Sequence, residues 1–177
     1  MASTPTRLMT FAEFEQLPDP VDGRLELRHG EVMKVPPAKL KHALAQERLR
    51  DLLKQAAGGA GSVHVELGIR VLPDGNYRTV DVAYAPKERW AQQDPEGYFI
   101  GAPELVVEVL SPSNTATEMR DRKKLCLENG CIEFWVVDLA LREVEVSTRD
   151  GRGVTYTSGQ EIPLFFGGSI AVDAIFS

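Results

Sequence analysis

Apolar and polar positions recur along this chain with periods that mark its elements. Phe11, Phe14 and Leu17 return at helical spacing behind a Thr10/Glu13 capping box, which predicts a short amphipathic helix over 11–17. Pro18, Pro20 and Gly23 break it. Residues 24–29 alternate around Leu25 and Leu27 as a strand, Gly30 turns the chain, and 31–35 returns as a second strand closed by Pro36 and Pro37. A helix is predicted over 40–57, because Ala45, Leu49, Leu52, Leu53 and Ala56 share one face at about 100° per residue. His42 falls on that face, and the glycine-rich stretch 58–61 ends the helix.

The middle of the chain reads as β-structure. Residues 63–72 form a strand interrupted at Gly68, Pro73 to Asn76 make a turn, and 79–85 form the next strand. A short helix over 87–93 and a loop over 94–103 follow. Residues 104–110 are nearly continuous in β-formers, the pattern of a strand covered on both faces. Thr115 with Glu118 opens a helix that runs to Asn129, with Gly130 as its stop. Strands at 132–139, 143–148, 153–157 and 169–172 complete the pattern. This order predicts an α/β (α+β) fold, a mixed β-sheet flanked by helices. With no internal repeat and no interior linker, residues 1–177 read as one domain.

Composition narrows the class. With 43% hydrophobic and 26% charged residues in 177, a packed core is available and wholesale disorder is excluded. The formal charge of −6 excludes coating nucleic acid by bulk positive charge, though not contact through a local basic patch. No apolar run reaches the roughly 20 residues a membrane-spanning helix needs, and the first residues lack the pattern of a signal peptide, so a cytoplasmic protein is expected. Cys126 and Cys131 form neither a disulfide framework nor a zinc site. A nucleophile elbow, a phosphate-binding Walker loop and a dinucleotide glycine fingerprint are all missing.

The candidate chemistry lies in carboxylates within apolar strands. Asp81 sits in TVDVAYA and Glu108 in LVVEVLS. A carboxylate within an apolar strand must be paired, hydrogen-bonded or bound to a cation, and two of them on separate strands suggest a shared one; the alternative is that each points into solvent from an amphipathic strand. Hard oxygen ligands select Mg²⁺, Mn²⁺ or Ca²⁺ over Zn²⁺. On the following helix Ala116, Met119, Cys126 and Leu127 outline an apolar stripe with Lys123 in its middle, so Lys123 is expected to face Glu108 and Asp81. Glu26 and His42 gain interest only if the fold brings them near Asp81. Cys126 reads as a small core residue.

The segments MTFAEFEQLP, GRLELRHGEV, VDVAY, PELVVEVLSPS and ENGCIEFWVVD, with the His42 helix, together resemble the Uma-two family of "putative restriction endonucleases", within the PD-(D/E)XK nuclease superfamily. The resemblance spans nearly the whole chain. It implies a restriction-endonuclease-like domain, with the metal-binding aspartate at Asp81 and the acid of the (D/E)-x-K motif at Glu108. The proline of the motif is Val80 here, and its lysine position is Leu110. In this family the lysine resembles one moved to the next helix, where alignment back from Gly130 falls on Arg122 while helical periodicity selects Lys123. Glu26 and His42 match further family positions.

The resemblance implies a Mg²⁺- or Mn²⁺-dependent endonuclease hydrolysing DNA phosphodiester bonds, with Asp81 and Glu108 holding metal and Val109 offering a carbonyl. Lys123 or Arg122 would orient the attacking water, and Glu26 and His42 would support it. Lysines 34, 39 and 41 and the basic run 120–124 would supply local positive charge. A homodimer would suit cleavage of two strands, and the apolar segment PLFFGG would serve either its interface or the core. The alternative is a degenerate module of the same fold that binds nucleic acid or a protein partner, suggested by the missing x-K lysine.

Overall fold

The computed structural model describes residues 7–177, so part of the leader-free start expected above lies outside the described residues. Its elements run in the order α1 (Phe11–Phe14), β1 (Arg24–Arg28), β2 (Glu31–Val35), α2 (Leu40–Ala57), β3 (Gly61–Arg70) and β4 (Tyr77–Pro86). There follow α3 (Lys87–Ala91), β5 (Phe99–Ile100), β6 (Leu105–Val109), α4 (Ala116–Glu128), β7 (Glu133–Asp138), β8 (Glu143–Thr148) and β9 (Gly153–Tyr156). The chain closes with β10 (Glu161–Pro163), β11 (Ser169–Ala171) and α5 (Val172–Ile175). Both predicted capping boxes form, at Thr10/Glu13 and at Thr115/Glu118. Helix α2 ends as its glycines require, with Gly58 in the left-handed conformation.

Nine strands make one mixed sheet along the path β2-β1-β4-β6-β7-β8-β9, with β3 added on β4 and the short β5 added on β3. β5 falls inside the stretch expected to be a loop; it pairs in parallel with the end of β3. Strand β4 is the hinge of the layout. One of its edges runs along the whole of β3, and the other is divided between β1 at Tyr77 and β6 at residues 82–84. β6 and β7 are parallel, joined through α4.

Two cores cover the two faces. Leu49 and Leu53 of α2 pack with Val82, Tyr84, Val107, Trp135 and Val144 on one face, joined by Ile162, Ile170 and Ile175 from the C-terminal elements. Leu125 and Cys126 of α4 pack with Ala83, Val106 and Phe134 on the other. In the PLFFGG segment Leu164 is buried and Phe166 stacks on Tyr84 at 4.0 Å between ring centroids, so most of that segment serves the core. Cys126 and Cys131 are buried, unpaired thiols.

The alternation of faces reverses in β3 and β4, and this reversal positions the site. Val63 and Val65 belong to the α2 side, whereas Leu67 and Ile69, of the same parity, belong to the α4 side. Glu66, between them, has φ of 51°, a left-handed conformation that costs a non-glycine residue about 1–2 kcal/mol. The break expected at Gly68 therefore falls at Glu66. Gly68 stays in the ladder opposite Thr79, where a Cβ would strike the Tyr77 hydroxyl. On β4 the matching reversal lies between Val80 and Val82, leaving Asp81 at the point where the strand turns over.

Candidate active site

β4 and β6 pair through Val82 and Val107, and the same register carried one step further sets Asp81 level with Glu108. At that step the strands part. The Val109 amide donates to Asp81 Oδ2 at 2.7 Å, so a carboxylate replaces a rung of the ladder. The second oxygen of Asp81 accepts from Gln46 Nε2 at 3.0 Å, and His42 Nε2 lies 3.2 Å from Oδ2. Residues 42 and 46 are one turn apart on α2, so a single helix face delivers both to Asp81. Burial and the Asp81 hydrogen bond oppose one another at His42; the hydrogen bond prevails and raises its pKa.

Alternation along β6 sends residues 105, 107 and 109 to the α2 side and residues 106 and 108 to the α4 side. There Glu108, 5% exposed, meets Arg122 of α4, whose Nη1 donates to Glu108 Oε1 at 3.2 Å and to the Thr79 carbonyl at 2.7 Å. Nη2 grips both oxygens of Glu26, at 3.1 and 2.9 Å. Glu26 is fully buried on β1 and also accepts from the Thr79 amide and Arg28 Nε. Arg122 thus ties β1, β4 and β6 together beneath α4.

A second ring of charges braces the first. Arg28 bridges from Glu26 to Glu118 at 2.8 Å, using the residue that also closes the capping box of α4. Arg78, 2% exposed, donates to the Leu27 carbonyl and to Asp121 Oδ2 at 3.2 Å, and His29 Nε2 lies 2.7 Å from Asp121 Oδ1.

The electrostatics separate the carboxylates. Burial pushes Glu108 up to about 8; Arg122 opposes this, while the charges of Asp81 and Glu26 add to it. Burial also works against the charge on Glu26, but Arg122, Arg28 and the Thr79 amide hold its carboxyl below the usual range. Arg122 keeps its proton far more tightly than usual, because the carboxylates of Glu108, Glu26 and Asp81 outweigh its burial.

Of the residues singled out in the sequence, the fold gathers Asp81, Glu108, Glu26, His42 and Arg122. Lys123 goes elsewhere. Its Nζ lies 2.9 Å from Glu145 Oε1 and 3.2 Å from Ser147 Oγ, on β8. The stripe read from Ala116 and Leu127 was displaced by about one residue, roughly 100° around the helix. Leu125 and Cys126 are the buried pair of α4, with Met119 packed beside them, and a stripe through those three has Arg122 at its centre. Gln46, Arg28 and the Thr79 carbonyl were not anticipated. Gln46 carried a readable signal, being four residues beyond His42 on the inward face of α2.

Among the described residues no three His, Cys, Asp or Glu side chains converge closely enough to form a metal cage. Asp81 and Glu108 remain as carboxylate oxygen donors on adjoining strands. Mg²⁺ is commonly held by one or two carboxylates and completed by water and substrate phosphate, so these residues fit an ion of that class. Burial is the main cause of the raised affinity of Glu108 for a proton, and the charges of Asp81 and Glu26 add to it.

A family model described as Uma2, "putative restriction endonuclease", matches residues 11–169. Among solved structures the chain is similar to a putative nuclease of the DUF820 family from Anabaena variabilis, with 19% identity and a TM-score of 0.82. The match covers 95% of this chain and 97% of that one, and it bears out the fold expected from the sequence. No curated protein matches the chain.

Proposed function

Because the chain belongs to the Uma2 family, we propose that it is a metal-dependent endonuclease that hydrolyses DNA phosphodiester bonds at the Asp81–Glu108 site. The observation that carries this reading is the pair of carboxylates set level where β4 and β6 part, with a fixed guanidinium on one of them. Mg²⁺ or Mn²⁺ bound there would supply Lewis acidity and lower the pKa of a bound water.

The chain's own residues have separable tasks. Asp81 is locked in orientation by Gln46, His42 and the Val109 amide, so its lone pairs are fixed before any ligand arrives. Arg122 cannot serve as a proton carrier, because three carboxylates reinforce its charge. Its work is electrostatic: it holds Glu108 in place and offsets negative charge growing on a phosphate. Glu26 holds Arg122 through a two-oxygen clamp and thereby positions it. Two-strand cleavage would call for a homodimer, and a cytoplasmic setting suits such an enzyme; both belong to the proposal.

One observation favours a second reading. The cation beside Glu108 is a guanidinium whose two terminal nitrogens are already held by Glu108, Glu26 and the Thr79 carbonyl, which also suits a site that has lost catalysis and kept the fold to bind nucleic acid. Nicking of supercoiled plasmid in Mn²⁺ and Mg²⁺ separates the two. Metal-dependent nicking by the wild type that vanishes in Glu108→Ala supports the nuclease. No cleavage of plasmid or single strands by the wild type, in either metal, overturns it in favour of the binding module.

A further inference from the structure

Helix α4 has two working flanks. Arg122 dips toward Glu108 from one, while Arg120, Lys123, Lys124 and Leu127 share the other at helical spacing and wall a groove of about 470 Å³. Arg149, in the turn after β8, closes the far side, and Glu128 is the one acid among the lining residues. The face of β8 beneath Lys123 is polar for a topological reason. Val144 and Val146 of β8 point into the α2-side core, which leaves Glu145 and Ser147 facing α4, where they hold Lys123.

The charges in this groove are not balanced from within. Arg120 donates to the Ala116 carbonyl, and Arg149 donates to the carbonyls of Leu127 and Cys131. Among the described residues neither has a carboxylate partner within 4.0 Å. Lys124 reaches Glu128 only at 3.9 Å, with both side chains more than half exposed. Four cations therefore face two acids, Glu128 and Glu145, in a protein whose total charge is −6.

We propose that this groove is a second DNA contact, a track for the phosphate backbone of a duplex whose scissile bond lies at Glu108. The choice of DNA rests on the nuclease reading, whereas the polyanion chemistry rests on the groove alone. Arg120 and Lys124 lie four residues apart, about 6 Å along the helix, so they would meet phosphates along a backbone rather than a single one. The contact reads no base and carries affinity through counterion release.

Fluorescence anisotropy of a labelled duplex, in EDTA and across a series of NaCl concentrations, tests it. The double variant Arg120→Gln/Lys124→Gln leaves every hydrogen bond between side chains described for the site in place. It should flatten the salt slope by about 1.8, and weaken binding some tens-fold near 0.1 M salt. Arg48→Gln/Lys54→Gln, exposed on α2 over the opposite face, removes the same charge and should change the slope by less than half as much. Arg149→Gln, tested separately because it also satisfies carbonyls at the end of α4, should flatten the slope by about 0.9. Equal slopes for the α4 and α2 variants, or no duplex binding by the wild type at low salt, overturn the groove. Plasmid nicking by the same wild-type preparation reports on the nuclease reading independently of either result.

Discussion

Glu108→Gln should make the metal-free protein more stable at alkaline pH. In the fold this carboxyl titrates at about 8 against an ordinary value of 4.5, chiefly because it is buried. The folded state therefore holds a proton that the unfolded chain releases. The resulting stability is complete below the unfolded value and is lost as pH rises through the folded one. Each unit of separation corresponds to about 1.4 kcal/mol, and about two and a half units fall between about pH 5.5 and pH 8, so the wild type should lose on the order of 3 kcal/mol through this group. Glutamine has nearly the same shape, keeps an oxygen to accept from Arg122, and cannot ionise. Urea unfolding in EDTA, followed by tryptophan fluorescence through the buried Trp135, gives the free energies at about pH 5.5 and about pH 8.5. The difference between variant and wild type should move in the variant's favour by about 3 kcal/mol across that window. Parallel profiles, with a difference constant to within about 1 kcal/mol, would show that Arg122 keeps Glu108 ionised throughout and would refute the reasoning.

Two further outcomes follow from the geometry. Lys123→Gln, which removes a partly exposed pair with Glu145, a contact with Ser147 and one of the four groove cations, should lower plasmid nicking by no more than about 10-fold, while Arg122→Gln should reduce it by at least about 100-fold; the reverse order would return the site's cation to Lys123. Glu26→Gln removes the charge that Arg122 grips with two hydrogen bonds and should cost about 3–5 kcal/mol of stability in urea unfolding, and a loss below about 1 kcal/mol would show that Glu108 alone suffices to hold the guanidinium.

Element order, both capping boxes and the pairing of a carboxylate with an apolar strand are local properties, and they were legible in the chain. Capping needs residues three apart, and a buried strand needs a run of β-formers, so Thr115/Glu118 and LVVEV declare themselves without neighbours. Family resemblance added Glu26, which by alternation alone looks like a solvent-facing residue between Leu25 and Leu27. Strand pairing then buried it completely. The α4 cation shows the limit most clearly. Helical periodicity permits two adjacent inward stripes on a helix this short of apolar residues, and one places Lys123 at its centre while the other places Arg122 there. Packing against Ala83, Val106 and Phe134 selected Leu125 over Leu127, and with it Arg122 over Lys123.

What the sequence determined by itself is therefore the longer elements and their order, without the short β5, β10 and α5, and the presence of buried charge that demands a partner, because capping, periodicity and desolvation act within a few residues of one another. The partners themselves were decided by tertiary structure. Asp81 meets His42 and Gln46 because Glu66, at positive φ, reverses the faces of β3 as β4 turns over at the same level. Glu108 meets Arg122 because β6 and β7 lie parallel beneath α4, and Glu26 joins them because β1 takes the part of the β4 edge that β6 leaves free. Each of these contacts closes between residues distant in the chain, and only pairing and packing bring such residues within hydrogen-bonding reach.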